Sequence, residues 1–187
     1  SYAIHKFDSS GNGISTGFPP TTHHSTVAGH SSGKVYSAVE NNGIQKFDSS
    51  GNLIWSFGGQ GLGNGEFQRP MGIAVDNSGN IYVTDFNNDR VQKFDSSGNH
   101  ILTFGTTGSA AGQFDGPIGI AVDSSGKIYV SEIFNDRVQI FSSNYIMSIA
   151  EISGLGTPPS MVATAYLNST SSTGRTLAVT SDDLEPS

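Results

Sequence analysis

Residues 69–104, RPMGIAVDNSGNIYVTDFNNDRVQKFDSSGNHILTF, contain the pattern that decides the fold, because nearly the same residues recur 47 positions later. Residues 76–83 (DNSGNIYV) return as residues 123–130 (DSSGKIYV). Residues 88–94 (NDRVQKF) likewise return as residues 135–141 (NDRVQIF). A repeat of this length predicts a propeller or a solenoid.

The local chemistry of one unit predicts four short strands. Residues 72–76 and 81–84 are runs of β-branched and aromatic residues, and the Asn, Ser and Gly residues between them are typical of a hairpin turn. A polar loop at 85–89 precedes a third run at 90–94, and the SSGN turn at 96–99 leads into a fourth. No window shows apolar residues at helical spacing, so the sequence predicts an all-β protein. Four antiparallel strands in a repeat of this length form the blade of a β-propeller.

The strings GIAVDxSGxIYV and NDRVQxF, with the SGN turn, resemble the NHL repeat, a propeller blade. The triplet after which this repeat is named reads Asn88-Asp89-Arg90 in one unit and Asn135-Asp136-Arg137 in the next. The resemblance covers most of the chain and implies a propeller, usually of six blades. Such propellers serve binding, scaffolding and occasionally enzymatic roles, so the resemblance is specific for fold rather than for function.

The chain as a whole predicts a single propeller domain of about four blade equivalents. Three units carry the full pattern, at about residues 24–57, 70–104 and 117–150, the first with shortened loops. Residues 1–18 match only the second half of a unit and residues 160–187 only the first half, so the ends are complementary half blades. Three arrangements stay open: a ring closed within one chain, a fragment of a longer propeller, and half blades that pair between chains into an oligomer or filament.

The connections between units are glycine-rich, yet each contains a phenylalanine at the same place, Phe67 in residues 58–69 and Phe114 in residues 105–116. We expect each ring to pack over the gap between neighbouring blades. The glycine run at 58–63 superficially resembles a dinucleotide-binding motif, but it lacks the helix that such a site needs.

Composition limits the function. With 9 basic and 16 acidic residues the net charge is −7, and no Lys/Arg cluster occurs, which argues against nucleic-acid and anionic-membrane binding. No apolar run approaches the roughly twenty residues of a membrane helix. The low charged fraction (13%) with abundant Ser, Thr, Asn and Gly is typical of exported surface proteins, so we expect an extracellular or cell-surface location. Asn168-Ser169-Thr170 is a candidate glycosylation sequon.

Acidic and amide side chains recur after the second strand of each unit, which places them on one rim. The candidate rim contacts are Asp85, Asn87, Asp89, Glu132, Asn135 and Asp136. One interpretation is a set of oxygen ligands for a cation or a polar partner. The sequence favours the other, in which Asp and Asn hydrogen-bond to the backbone of turns. We also expect Arg90 and Arg137 each to pair with a carboxylate of its own or the neighbouring blade.

No set of residues predicts catalysis, cofactor binding or a metal site. His23, His24 and His30 form the one histidine cluster, but adjacent residues in a strand point to opposite faces. The sequence therefore predicts a non-catalytic binding or scaffold module that contacts a protein or glycan partner through rim loops. One alternative is a self-assembling subunit joined through its half blades. Another is a metal-dependent propeller lyase or lactonase, which would need His and acidic side chains converging on the central channel.

Overall fold

The computed structural model describes residues 4–14, 24–39 and 43–142. Within these ranges the chain forms thirteen β-strands and a single turn of 3-10 helix at Phe86–Asn88. The strands are β1 (Lys6–Phe7), β2 (Gly13–Ile14), β3 (His24–Gly29), β4 (Val35–Val39), β5 (Gly43–Phe47), β6 (Leu53–Phe57), β7 (Pro70–Val75), β8 (Ile81–Asp85), β9 (Arg90–Phe94), β10 (His100–Phe104), β11 (Pro117–Val122), β12 (Lys127–Glu132) and β13 (Arg137–Ser142). The predicted all-β class is confirmed.

Within each sheet, every strand pairs antiparallel with the next along the chain. Strands β3 to β6 form one four-stranded sheet, β7 to β10 form a second, and β11 to β13 form a three-stranded sheet. We call these sheets blade 1, blade 2 and blade 3. Strands β1 and β2 form a separate two-stranded sheet. The predicted fourth strand of the unit at 117–150 and the predicted half blade at 160–187 lie outside the described residues.

The hairpin turns are built on aspartate. In blade 2 the carboxylate of Asp76 accepts the backbone N–H groups of Ser78 and Asn80, each at 2.9 Å. Gly79 follows with φ of 84°, a left-handed conformation that glycine adopts without strain. Asp8, Asp48, Asp95 and Asp123 accept the equivalent N–H groups in their own turns. Hydrogen bonds within each turn therefore close the hairpins that the sequence predicts.

The sheets pack face to face with their first strands side by side. Strand β7 lies between β3 and β11, so the three first strands run next to one another. One apolar cluster joins blades 1 and 2 and includes Tyr36, Ile44 and Ile81. The second cluster joins blades 2 and 3 and includes Val91 and Ile128.

Phe67 and Phe114 each lie in one of these clusters, with 3% and 0% of their surface exposed. Both rings pack between neighbouring blades, which confirms the expected role of the loop phenylalanines. No helix in the described ranges is long and apolar enough to cross a membrane.

Candidate functional site

One edge of the blades gathers the predicted site residues. This edge, which we call the clamp rim, contains the loops 58–69 and 105–116 between blades and the turns 86–89 and 133–136 within them. The opposite edge contains the aspartate turns. The clamp rim is held together by buried polar side chains, described next.

Asp85 is the centre of the rim in blade 2 and is fully buried. Its Oδ2 accepts hydrogen bonds from Arg90 Nε at 2.8 Å and Asn88 Nδ2 at 2.7 Å. Its Oδ1 accepts the N–H of Gln68, in the preceding loop, at 2.7 Å. A buried carboxylate needs such partners to offset lost hydration, and Arg90, Asn88 and Gln68 supply three of them.

Arg90 extends the same network to the loop between blades 1 and 2. Its guanidinium donates to the carbonyl oxygens of Leu62 (2.7 Å), Gly63 (3.0 Å) and Glu66 (2.9 Å). Gln92 adds a donor to the same Glu66 carbonyl at 2.8 Å and accepts the N–H of Gly65 at 2.9 Å. The glycine-rich loop is therefore fixed by side chains of the blade that follows it.

Blade 3 repeats this arrangement. Glu132, 5% exposed, pairs with Arg137 Nε at 2.7 Å, and the guanidinium donates to the carbonyls of Ser109, Ala110 and Gln113. Burial alone would raise the pKa of Glu132, but hydrogen bonds from Arg137 and Asn135 outweigh it and hold the pKa below its ordinary value. The expected pairing of each arginine with a carboxylate is confirmed, and in each pair the two residues belong to the same blade.

Blade 1 has different residues at the two positions that Asp85 and Arg90 occupy in blade 2, which we call the clamp positions. Val39 pairs with Gly43 at the register where Asp85 pairs with Arg90 and Glu132 with Arg137. Neither Val39 nor Gly43 carries a charged side chain, so blade 1 has no ion pair at this register. The loops of the three units are therefore not equivalent, and a different surface forms where the arginine would lie.

That surface is a pocket of about 170 Å³ between blades 1 and 2. Its lining includes Gly43, Gln60, Arg69 and Asn87. Arg69 has φ of 64°, a left-handed conformation that is uncommon for a residue with a Cβ, and the guanidinium lies 5.1 Å from the centre of the Phe86 ring. Blade 3 has Gly116 in this conformation, also with φ of 64°. Strain at a residue that lines a pocket is characteristic of binding sites.

The remaining predicted rim residues have unequal surroundings. Asn87 is exposed beside the pocket, and Asn135 binds Glu132 and the carbonyl of Gly108. Asp89 accepts the N–H of Gly116 at 2.9 Å and the hydroxyl of Thr107 at 2.8 Å, which joins blade 2 to the loop entering blade 3. Asp136 has the same φ of 48° as Asp89 and is exposed. Contact of any of these six residues with a ligand stays a prediction.

Sequence reasoning missed the apolar part of the rim. Phe134 is 63% exposed, Ile133 48% and Leu62 68%. The ring of Phe134 lies 6.1 Å from that of Phe86 in the neighbouring blade, so the aromatic side chains run along the rim from Arg69. The available signal was the apolar residues that follow the buried acid in blades 2 and 3, Phe86 after Asp85 and Ile133-Phe134 after Glu132, in turns that are otherwise polar.

Histidines stand apart from this rim. His30 contacts Ser32 at 2.7 Å in a turn, and His100 contacts Thr103 at 2.8 Å. Across residues 4–14, 24–39 and 43–142, no three His, Asp or Glu residues are grouped so that they could hold one metal ion. His23 and Asn168 lie outside those ranges.

Comparison with known proteins supports the repeat and the fold. The family model described as NHL repeat matches residues 67–94. No curated protein matches the sequence significantly. Among solved structures, the chain is similar to a streptogramin B lyase, with 19% identity and a TM-score of 0.57 over 76% of this chain and 45% of that one.

Two further structures are similar at lower identity. Hydrazine synthase of Kuenenia stuttgartiensis is 15% identical, with a TM-score of 0.52 over 72% of this chain and 37% of that one. Virginiamycin B lyase from Staphylococcus aureus is 15% identical, with a TM-score of 0.50 over 75% and 48%. This chain spans less than half the length of all three, and at such identities the likeness shows the fold alone.

Proposed function

Because residues 67–94 are an NHL repeat and the described sheets are propeller blades, we propose that the protein is a non-catalytic binding or scaffold module that acts through the clamp rim. The observation that carries the proposal is the exposure of apolar side chains, above all Phe134, on a turn whose backbone N–H groups bond to the loop that Arg137 holds. The fold supports a binding or scaffold role in general. The choice of surface rests on the rim itself.

Rigid loops favour binding because less conformational freedom is lost when a partner is contacted. Arg90 and Arg137 each hold several carbonyl oxygens of a loop between blades, and the buried Phe67 and Phe114 anchor the same loops in the core. An aromatic side chain presented on such a support is a typical centre of binding energy. Arg90 and Arg137 therefore support the binding surface, and the exposed apolar side chains make the contact with the partner.

The chemistry of the rim fits a protein segment better than a purely polar ligand. Phe134 and Ile133 offer apolar area, while Asn87 and Gln60 offer amide groups at the neighbouring pocket. A partner segment with an apolar side chain flanked by polar ones would use both. We also propose that the partner is extracellular, because the low charged fraction and the abundance of Ser, Thr, Asn and Gly are typical of exported proteins.

Selection from a random peptide library displayed on phage tests this proposal. Peptides selected on the unmodified protein should lose most of their binding to a Phe134→Ser variant, with a reduction of about tenfold or more because an aromatic anchor contributes about 2 kcal/mol. Ser124→Ala, on the opposite edge, is the matched control and should leave binding unchanged. Peptides that bind both variants equally, or that are sensitive to Ser124 instead, would place the binding surface elsewhere.

Self-assembly is a second candidate, favoured by the two-stranded sheet of β1 and β2. Phe7 is 61% and Ile14 42% exposed there, and exposed apolar strands can add to a sheet of another chain. Light scattering across a dilution series distinguishes this candidate from the first. A mass that rises with concentration supports assembly, and a constant monomer mass near 19.6 kDa contradicts it.

The enzymatic alternative, a metal-dependent lyase or lactonase, makes a different prediction. Metal should copurify with the protein in a fixed ratio, and replacing the acidic or histidine side chains that bind it should release it. Elemental analysis of the purified protein is the measurement. No metal above background would contradict this alternative.

A further inference from the structure

The pocket between blades 1 and 2 has a counterpart between blades 2 and 3, where a carboxylate of the protein itself is bound. There Asp89, in the turn of blade 2, accepts the backbone N–H of Gly116 at 2.9 Å and the hydroxyl of Thr107 at 2.8 Å. Both donors belong to the loop that leads into blade 3. The protein thus shows which chemical group fits this place between two blades.

Arg69 and Gln60 form the corresponding place between blades 1 and 2. Arg69 stands where Gly116 stands, because both have φ of 64° and the carbonyl of each accepts a backbone N–H from the turn after the buried acid. Gln60 stands where Thr107 stands, since each forms an isolated bridge with the buried phenylalanine of its loop. The two places therefore share one backbone frame and differ in their side chains.

Blade 1 does not have the corresponding aspartate in its sequence. The clamp positions fix the alignment, so Asn42, which precedes Gly43, corresponds to Asp89, which precedes Arg90. Asn42 lies outside the described residues, but its side chain is uncharged by identity. A ligand can therefore supply the carboxylate that blade 1 lacks at this position.

The pocket between blades 1 and 2 offers the donors that a carboxylate needs. Of the described residues that line it, Arg69 alone carries a charge, and Gln60 and Asn87 each carry a side-chain amide that donates hydrogen bonds. All three residues are exposed, so a ligand can reach them from solvent. A guanidinium binds a carboxylate through two parallel N–H groups, which gives the contact direction as well as charge.

The backbone at Arg69 indicates that this side chain has a use. A φ of 64° is unfavourable for a residue with a Cβ, and blade 3 has glycine at the corresponding position. Residues held in such conformations concentrate at ligand-binding sites. The guanidinium also lies 5.1 Å from the centre of the Phe86 ring, and this contact restricts its orientation before a ligand binds.

We propose that this pocket binds a carboxylate group through the guanidinium of Arg69 and the amide groups of Gln60 and Asn87. The carboxylate belongs either to an acidic residue of a peptide or to a free small acid such as a uronic acid. The inference concerns the pocket alone and does not depend on the aromatic contact of Phe134 proposed above. It would stand even if every peptide bound equally well to Phe134→Ser.

NMR titration of the full-length, nitrogen-15-labelled protein at constant pH and ionic strength tests the proposal. N-acetylglutamic acid α-amide represents an acidic residue, glucuronate represents a free acid, and N-acetylglutamine amide and glucose are their uncharged counterparts. The Nε–H signal of Arg69 and the side-chain amide signals of Gln60 and Asn87 should shift and saturate with an acid, at a Kd of about 1 mM. The uncharged counterparts should cause no such shifts. Saturation with one acid and not the other identifies the source of the carboxylate.

Arg69→Gly is the decisive variant, because Gly116 shows that glycine adopts this conformation in the repeat. It should weaken binding of the acid about tenfold or more, as read from the two amide signals, since the paired N–H donors are lost. Lys127→Gln removes the same charge on the opposite edge and should leave the Kd unchanged. Unchanged emission from the single tryptophan, Trp55 between blades 1 and 2, shows that the Arg69→Gly variant is folded.

Three results would overturn the proposal. The first is the absence of saturable shifts at Arg69 with either acid, and the second is equal shifts with the uncharged counterparts or in the Arg69→Gly variant. The third is binding that appears only after Glu40→Gln, a change in the turn before Gly43 and outside the described residues. That result would show that a carboxylate of the chain itself already occupies the pocket.

Discussion

Arg90 occupies a position where the planar guanidinium of arginine can do what the ammonium group of lysine cannot. Its planar group reaches the Asp85 carboxylate and three carbonyl oxygens of one loop at once. Lysine presents its charge at a point and cannot hold acceptors spread over that distance. The side chain is 12% exposed and its partner carboxylate 0%, so the pair is shielded from water.

Replacing Arg90 by Lys should therefore lower the free energy of unfolding by about 2 kcal/mol, because the carbonyl oxygens of the loop lose their donors while Asp85 keeps a positive neighbour. Urea unfolding followed by circular dichroism measures the change. Lys127→Arg, the reverse exchange at an exposed position, is the control and should stay within about 0.5 kcal/mol. An unchanged urea midpoint for Arg90→Lys would show that the loop is held by other contacts.

The aspartate turns govern stability at the scale of the element. The Ser125 hydroxyl and the backbone N–H of Lys127 bind the carboxylate of Asp123, and they lower its pKa to about 2 from the ordinary 3.8. The pKa values of Asp8, Asp48 and Asp95 are also lowered. For Asp8 the backbone N–H of Asn12 is the largest cause, and for the other two it is the Asn side chain of the turn.

These shifts predict that stability falls as the pH falls. An aspartate whose pKa is lower in the folded state binds fewer protons there than in the unfolded chain, so its contribution is complete above about pH 4 and is lost towards pH 2. Carbon-detected NMR should give Asp123 a titration midpoint of about 2. The urea midpoint of Asp123→Asn should depend less on pH in this window than that of the unmodified protein. A titration midpoint near 3.8 would contradict the turn geometry.

The hairpins and ion pairs could be predicted from the sequence, whereas contacts between blades could not. The repeated Asn, Ser and Gly residues predicted the hairpins, and the strict recurrence of arginine predicted that Arg90 and Arg137 each pair with a carboxylate of its own or the neighbouring blade. The structure identifies the partners as Asp85 and Glu132. Both arise from neighbours in the chain or in the same sheet. The contact of Phe86 with Phe134 joins two blades across 48 positions, and no local pattern indicates which loop side chains will meet.

The approach of neighbouring first strands is the critical contact of the whole molecule. A Cβ added to Gly72 would lie 2.3 Å from the carbonyl oxygen of Ile118, in the first strand of the next blade. Backbone atoms cannot turn aside as a side chain can. The blades can approach this closely only because the position has no side chain.

Gly72→Ala should therefore force blades 2 and 3 apart and lower the free energy of unfolding by about 3 kcal/mol, at the upper end of overpacking effects. Gly59→Ala is the control, because a Cβ there would have no atom within 4 Å and φ is not in the left-handed region. Urea unfolding of both variants measures the difference. Similar costs at the two positions would show that the first strands adjust freely to each other.

The repeat, the aspartate turns and the alternation of apolar residues were enough to specify all-β blades, since these features depend on residues close together in the chain. Tertiary packing was needed to distinguish Val91 from Val138, which stand in nearly the same local sequence yet are 0% and 61% exposed. The physical reason is that burial on the flat of a blade is created by the next sheet. The pocket beside Arg69 has a similar origin, because it forms between two blades whose clamp residues differ, and neither blade contains it alone.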